Sequence, residues 1–227
     1  MIAEEEFLNE KVKPPEITIS NKSLSYCIIN LFKQATPLFK LQITTYLANK
    51  VLNEDELTQV FVSQLIILSK KDYPFGINSQ YRDSYHGSTG FSDFYFFPTE
   101  EGKSTESIFS VESKRLPAPT KDREEEYVKG KSKSGGIERY KIEKHGKELA
   151  ECGILGFIEK ENPPFWLNTI NQWIENLSNS DATWNKDEKL NEVEKDEEFT
   201  YLNSVAHTVK SRNILLHHFW IETPTAI

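Results

Sequence analysis

The chain is 227 residues long, 27% charged, with a formal net charge of −8 and two cysteines. That length supports one domain with additions and a sizeable core, while Cys27 and Cys152 cannot by themselves build a disulfide framework or a cysteine zinc site. The negative total argues against a protein that coats nucleic acid non-specifically, since phosphate neutralisation drives such binding. The acidic start and the lack of a spanning-length apolar run predict a soluble, cytoplasmic protein with no membrane segment.

In chain order, residues 1–16 read as an acidic arm ending at Pro14-Pro15, and 22–50 read as helical, with Leu24, Ile28, Leu31 and Phe32 on one face until Pro37 interrupts it. Residues 1–50 are thus expected as an arm with a helical extension, and 51–227 as the main unit of one compact domain. Asn53 and Glu56 make a capping-box-like start for a helix to about Lys70, with Leu57, Val60, Phe61, Leu65 and Leu68 inward. Glu54 lies in its first turn on the same face. It either complements the helix dipole or serves a site.

Strands are expected near 89–98 and 107–116. In Ile108-Phe109-Ser110-Val111-Glu112-Ser113-Lys114 the side chains alternate, so Glu112 and Lys114 share a face about 7 Å apart while Phe109 and Val111 share the other. Pro117 should end the strand and leave the charged pair near its mouth. Asp93 sits upstream among Phe91, Phe94, Tyr95, Phe96 and Phe97, where a carboxylate is costly to bury without a partner or metal. Three Asp/Glu-x-Lys tripeptides occur, at Glu101, Glu112 and Asp187, but only that of Glu112 follows an apolar β-run.

Residues 117–136 read as a polar, mobile loop and 137–151 as a helix preceded by Gly135-Gly136, where backbone N–H groups can approach a phosphate. The span 129–147 gathers Lys129, Lys131, Lys133, Arg139, Lys141, Lys144 and Lys147 against Glu138 and Glu143. It is either a solvated face or a local phosphate-binding surface, with Lys131, Lys133, Arg139 and Lys141 as substrate contacts. A buried strand over 152–158 and a helix opened by Pro163-Pro164 come next. The acidic stretch 178–198 reads as a linker, and 202–209 with 213–222 as a hairpin turning at Ser211-Arg212. His207, His217 and His218 lie in it with no compact zinc spacing, so structural roles are expected. Strands alternating with helices predict an α/β fold, a central mixed sheet flanked by helices.

Two carboxylates with a nearby lysine suit metal-assisted hydrolysis of a phosphodiester. The acids hold a hard cation, which activates water, and the ammonium stabilises developing charge. Asp93 on one strand and Glu112-x-Lys114 on the next resemble the PD-(D/E)xK nuclease superfamily over roughly 53–160, although Ser92 stands where the name-giving Pro would. The resemblance implies a restriction-endonuclease-like core. It also implies Glu54, Asp93, Glu112 and Lys114 as catalytic residues, and Asp93, Glu112 and Glu54 as ligands to Mg²⁺ or, in its place, Mn²⁺. The implied activity is a nuclease, with DNA favoured over RNA, in prokaryotic antiviral defence or DNA processing, acting alone, with a protein partner or as a homo-oligomer. A catalytically silent nuclease-fold protein that binds nucleic acid or a protein is the alternative. A carboxylate-pair glycosidase is a third, in which Lys114 has no evident task.

Overall fold

A computed structural model describes residues 21–47, 50–82 and 90–224, so the acidic arm lies outside the described residues. The elements run α1 (Asn21–Leu47), α2 (Glu54–Asp72), β1 (Phe75–Arg82), β2 (Phe91–Pro98), β3 (Phe109–Leu116), α3 (Gly136–Lys141), β4 (Glu151–Ile158), α4 (Pro163–Ser180), β5 (Asn191–Lys195), β6 (Phe199–His207) and β7 (Asn213–Glu222). They form an α/β fold around one seven-stranded mixed sheet of order β1-β2-β3-β4-β7-β6-β5. The centre, β3-β4-β7, is parallel and the flanking pairs are antiparallel.

Alternation along the central strands builds two cores. Phe109, Val111, Leu155, Phe157, Phe219 and Ile221 face α1 and α2, where Ile28, Leu31, Phe32, Phe39, Leu57, Phe61 and Leu65 meet them. The rings of Phe32 and Phe219 lie 4.1 Å apart, and burying such a ring contributes about 2 kcal/mol. On the other face Leu116, Ile154, Ile158, Leu216 and Trp220 pack with Ile137 and Tyr140 of α3 and with Trp166, Ile170 and Ile174 of α4. Helix α1 therefore shares the core of residues 51–227. The Asn53 side chain caps the Glu56 N–H at 2.9 Å and Glu56 returns the bond to the Asn53 N–H at 2.9 Å, which fixes where α2 begins.

Several elements differ from their sequence reading. Helix α1 passes through Pro37 without ending, because the buried stripe continues through Phe39 and Ile43. Strand β1 had no signal, since among its residues with a described side chain only Phe75 and Ile77 are buried. The helix expected over 137–151 stops at Lys141, and left-handed residues Glu143, Gly146 and Glu148 carry the chain through turns instead.

The 117–136 loop is tied down. Tyr127 is buried with its hydroxyl 2.8 Å from His218 Nδ1, and Gly136, Ile137 and Glu138 donate backbone bonds to Glu126, Tyr127 and Val128. Residues 178–198 are no linker either. They bury Trp184, Glu188 and Leu190 and supply β5.

The expected hairpin forms, and β7 inserts beside β4 at the sheet centre. Its histidines are structural. His218 bonds Tyr127 and Ser204, His217 bonds Tyr201 and Glu151, and His207 bonds Asn213 and Asp187. Among the described residues no helix is long and apolar enough to cross a membrane.

Candidate active site

Strand β3 places Glu112 and Lys114 on the α3/α4 face and carries Val111 and Phe109 on the other. Antiparallel pairing of Phe94 with Val111 brings Asp93 beside Glu112 at the next step of the ladder. The Ser113 N–H donates to Asp93 Oδ2 at 2.6 Å and so fixes that carboxyl on β3. Glu54, the first residue of α2, accepts the Arg115 N–H at 3.0 Å through Oε2. Its other oxygen lies 3.6 Å from Lys114 Nζ. Lys114 also donates to Glu112 Oε1 at 2.7 Å and to the Ser113 carbonyl at 2.8 Å. The four residues implied as catalytic thus converge, Glu112 fully buried, Lys114 nearly so and Asp93 half-buried.

Two further side chains reach Glu112. Arg139 of α3, expected as a substrate contact, donates to Oε1 through Nη1. His145, which no sequence pattern marked, brings Nδ1 to 3.0 Å from Glu112 Oε2 without the alignment of a hydrogen bond, and both atoms are buried with no hydrogen-bond partner. A lone histidine between a basic helix and a strand carries no periodic signal. Only the adjoining Gly146, at φ +60, hints at a required turn. Tyr140 pins α3 to the sheet by donating to the carbonyls of Ser110 and Gly153 at 3.1 and 2.8 Å.

The electrostatics divide the acids. Burial opposes the charged form of Glu112, but the ammonium of Lys114, with His145 and Arg139, outweighs it and holds the carboxyl down at about 2. Burial and then the charge of Glu112 push Asp93 up to about 8, against the pull of Lys114 and the Ser113 N–H. Burial also raises Glu54, with Lys114 pulling it back. Lys114 is opposed by burial as well, yet Glu112, Glu54 and Asp93 hold it above the ordinary lysine range. One acid is locked as an anion beside another whose compensation by Lys114 and the Ser113 N–H falls short of its burial and of the neighbouring charge.

The basic residues scatter. Lys131 and Lys133 are exposed, Lys131 pairing with Asp122 at 3.1 Å. They belong to the loop around a cavity of about 590 Å³ lined in part by Lys121, Arg123, Lys129 and Lys131. Its carboxylates, Asp122, Glu124, Glu125 and Glu126, match those cations one for one. Lys141 is buried in an ion pair with Glu188, its ammonium 4.5 Å from the Trp184 ring centre, so it presents no charge to a ligand.

Among the described residues no group of three or more His, Cys, Asp or Glu side chains is gathered as a metal centre. Comparisons with protein-family models, curated proteins and solved structures each return no match to this chain.

Proposed function

We propose that this chain is a metal-dependent nuclease that hydrolyses phosphodiester bonds, with DNA the favoured substrate, on a restriction-endonuclease-like core. The observation that carries the reading is the Lys114 ammonium held between Glu112 and Glu54 with the Asp93 carboxyl fixed beside it on the neighbouring strand. A lysine so placed has a task in phosphodiester hydrolysis and none in the glycosidase reading.

Mg²⁺, with Mn²⁺ as its substitute, fits the donor set on two counts. Glu112 Oε2 is a buried carboxylate oxygen without a hydrogen-bond donor, and Asp93 is raised to about 8 by burial and by that same carboxylate. Mg²⁺ uses one or two protein carboxylates and takes its other ligands from water and phosphate, so a trio of acids is not required. Asp93 and Glu112 would hold the cation, with Glu54 as a further donor. When bound it lowers the pKa of a water and neutralises charge on the phosphate. The chain's own residues do the rest: Lys114 places a positive charge where the transition state becomes more negative, Arg139 keeps Glu112 Oε1 in place, and Lys131 and Lys133 meet the flanking phosphate backbone.

A catalytically silent nuclease-fold protein is the second reading. It is favoured by the close approach of Lys114, Arg139 and His145 to both oxygens of Glu112. Incubating purified protein with labelled linear, circular and single-stranded DNA and with RNA, with and without Mg²⁺ or Mn²⁺, separates the two. Metal-dependent cutting abolished by Glu112→Gln is the expected result. Intact substrates under every condition would leave the silent protein standing.

A further inference from the structure

Three separate features of the fold converge on His145. The first is Gly90, where a Cβ would stand 2.3 Å from His145 Cδ2 and 2.4 Å from the Lys144 carbonyl. The imidazole therefore lies against bare backbone three residues before Asp93. The second is the tight segment after α3. The N–H groups of Lys144 and His145 both donate to the Arg139 carbonyl, at 2.9 and 3.3 Å, Glu143 is left-handed at φ 55, and a Cβ at Gly146 would stand 2.4 Å from Cys152 Sγ.

The third is the turn joining β6 to β7. Val209 N–H donates to the Lys141 carbonyl at 2.9 Å, Thr208 Oγ1 donates to Glu143 at 3.3 Å, and Lys210 pairs with Glu143 at 2.9 Å. Arg212 adds a bond to the Leu149 carbonyl at 3.1 Å. The C-terminal hairpin thus grips the segment that carries His145 two residues beyond Glu143.

We propose that His145 is a positioning residue which, clamped by Gly90 and by the β6–β7 turn acting through Glu143, fixes the plane of the Glu112 carboxylate so that Oε2 can receive a divalent cation. Lys114 and Arg139 both act on Oε1, and a carboxylate held by one oxygen alone can swivel about its last bond. The imidazole, with Nδ1 3.0 Å from Oε2, limits that freedom from the other side by close contact, and because it makes no hydrogen bond there the lone pairs of Oε2 stay open to a cation. Outer partners that orient a metal ligand typically contribute roughly 10- to 100-fold in metal affinity. His145 is assigned to Glu112 because its Nδ1 faces Oε2 at 3.0 Å. The cation part of the proposal rests on the nuclease reading, whereas the positioning of Glu112 does not.

The test uses the full chain with two readouts besides cleavage: the carbon-13 carboxyl resonance of Glu112 in metal-free protein, and Mn²⁺ affinity by electron paramagnetic resonance. His145→Phe keeps the ring shape without the nitrogens. It should move the Glu112 resonance and weaken Mn²⁺ binding at least tenfold, and His145→Gln should recover part of both. Glu143→Gln, which touches neither Glu112 nor the metal, should shift both in the same sense by a smaller amount.

Circular dichroism confirms that each variant folds, and if His145→Phe does not, Glu143→Gln carries the comparison. An unmoved Glu112 resonance in the folded variants overturns the positioning role, and unchanged Mn²⁺ affinity beside a moved resonance overturns the link to the cation. A wild type that binds no Mn²⁺ and cuts nothing defeats the nuclease reading, while the metal-free resonance still decides the positioning.

Discussion

The bare α-carbon of Gly136 lies over the stem of Lys114: a Cβ there would stand 3.5 Å from Lys114 Cγ, 3.6 Å from Cε and 2.9 Å from the Tyr127 carbonyl. The start of α3 is thus packed against this lysine, and the approach leaves little room for a larger residue. Gly136→Val should push α3 off the sheet and displace the Lys114 ammonium. A stability loss of about 1–3 kcal/mol by denaturant titration should accompany a fall in cleavage larger than Gly136→Ala produces. Equal cleavage by the two variants would mean that the contact has no bearing on Lys114.

Asp93 gives a pH dependence with a definite sign. Its folded carboxyl is raised to about 8 from an unfolded value of about 4. Its contribution to stability is therefore complete below pH 4 and is lost as pH rises through 8. Thermal unfolding in chelator should show Asp93→Asn gaining on the wild type across pH 4–8 and levelling off above it. Glu112, held down at about 2, has the opposite sign: its contribution is present above its unfolded value and lost as pH falls towards 2. It therefore leaves this window clear. Parallel curves for the two proteins would refute the assignment.

On a substrate that the wild type cuts, Lys114→Ala should retain Mn²⁺ and lose roughly 10²- to 10³-fold in kcat, because its charge acts as negative charge develops in the transition state. Asp93→Asn and Glu112→Gln should lose Mn²⁺ as well as cleavage. Isothermal titration with Mn²⁺, run beside single-turnover kinetics, separates the two outcomes. A Lys114→Ala protein that fails to bind Mn²⁺ while folded would move the lysine out of the chemical step.

The basic stretch divides into residues that can reach a substrate and one that cannot. Replacing the exposed Lys131 and Lys133 with Gln should weaken DNA binding across sequences and lower the salt slope by about one unit for each phosphate that is no longer neutralised. Lys141→Gln should instead cost about 3–5 kcal/mol of stability, because it leaves the buried Glu188 carboxylate unpaired. Fluorescence anisotropy against salt and urea unfolding measure these separately. An unchanged salt slope in the Lys131/Lys133 variant would place the substrate path elsewhere.

Helix α1 belongs to the core through Phe32, which is fully buried and packs on Phe61 and Phe219. Phe32→Ala should destabilise the whole protein by about 3–5 kcal/mol in one cooperative transition. A separate early transition on denaturation would instead mark α1 as an independent extension.

The sequence by itself determined what rests on local spacing. Alternation in β3 sets Glu112 and Lys114 on one face, the Asn53/Glu56 capping box starts α2 just ahead of the inward-facing Leu57, and two apolar runs around 208–212 predict the C-terminal hairpin. Each is decided by residues a few positions apart, so a periodic pattern suffices. Tertiary structure alone decided the remainder. His145 joins Glu112 because the 142–146 turns and the distant β6–β7 turn bring it there. Lys141 leaves the basic surface because Glu188 and Trp184, from a stretch that reads as a linker, fold over it. The 117–136 loop is fixed because Tyr127 finds His218 and Trp220 far along the chain. Such contacts join side chains tens of residues apart, and neither composition nor periodicity records which buried polar group will find which partner.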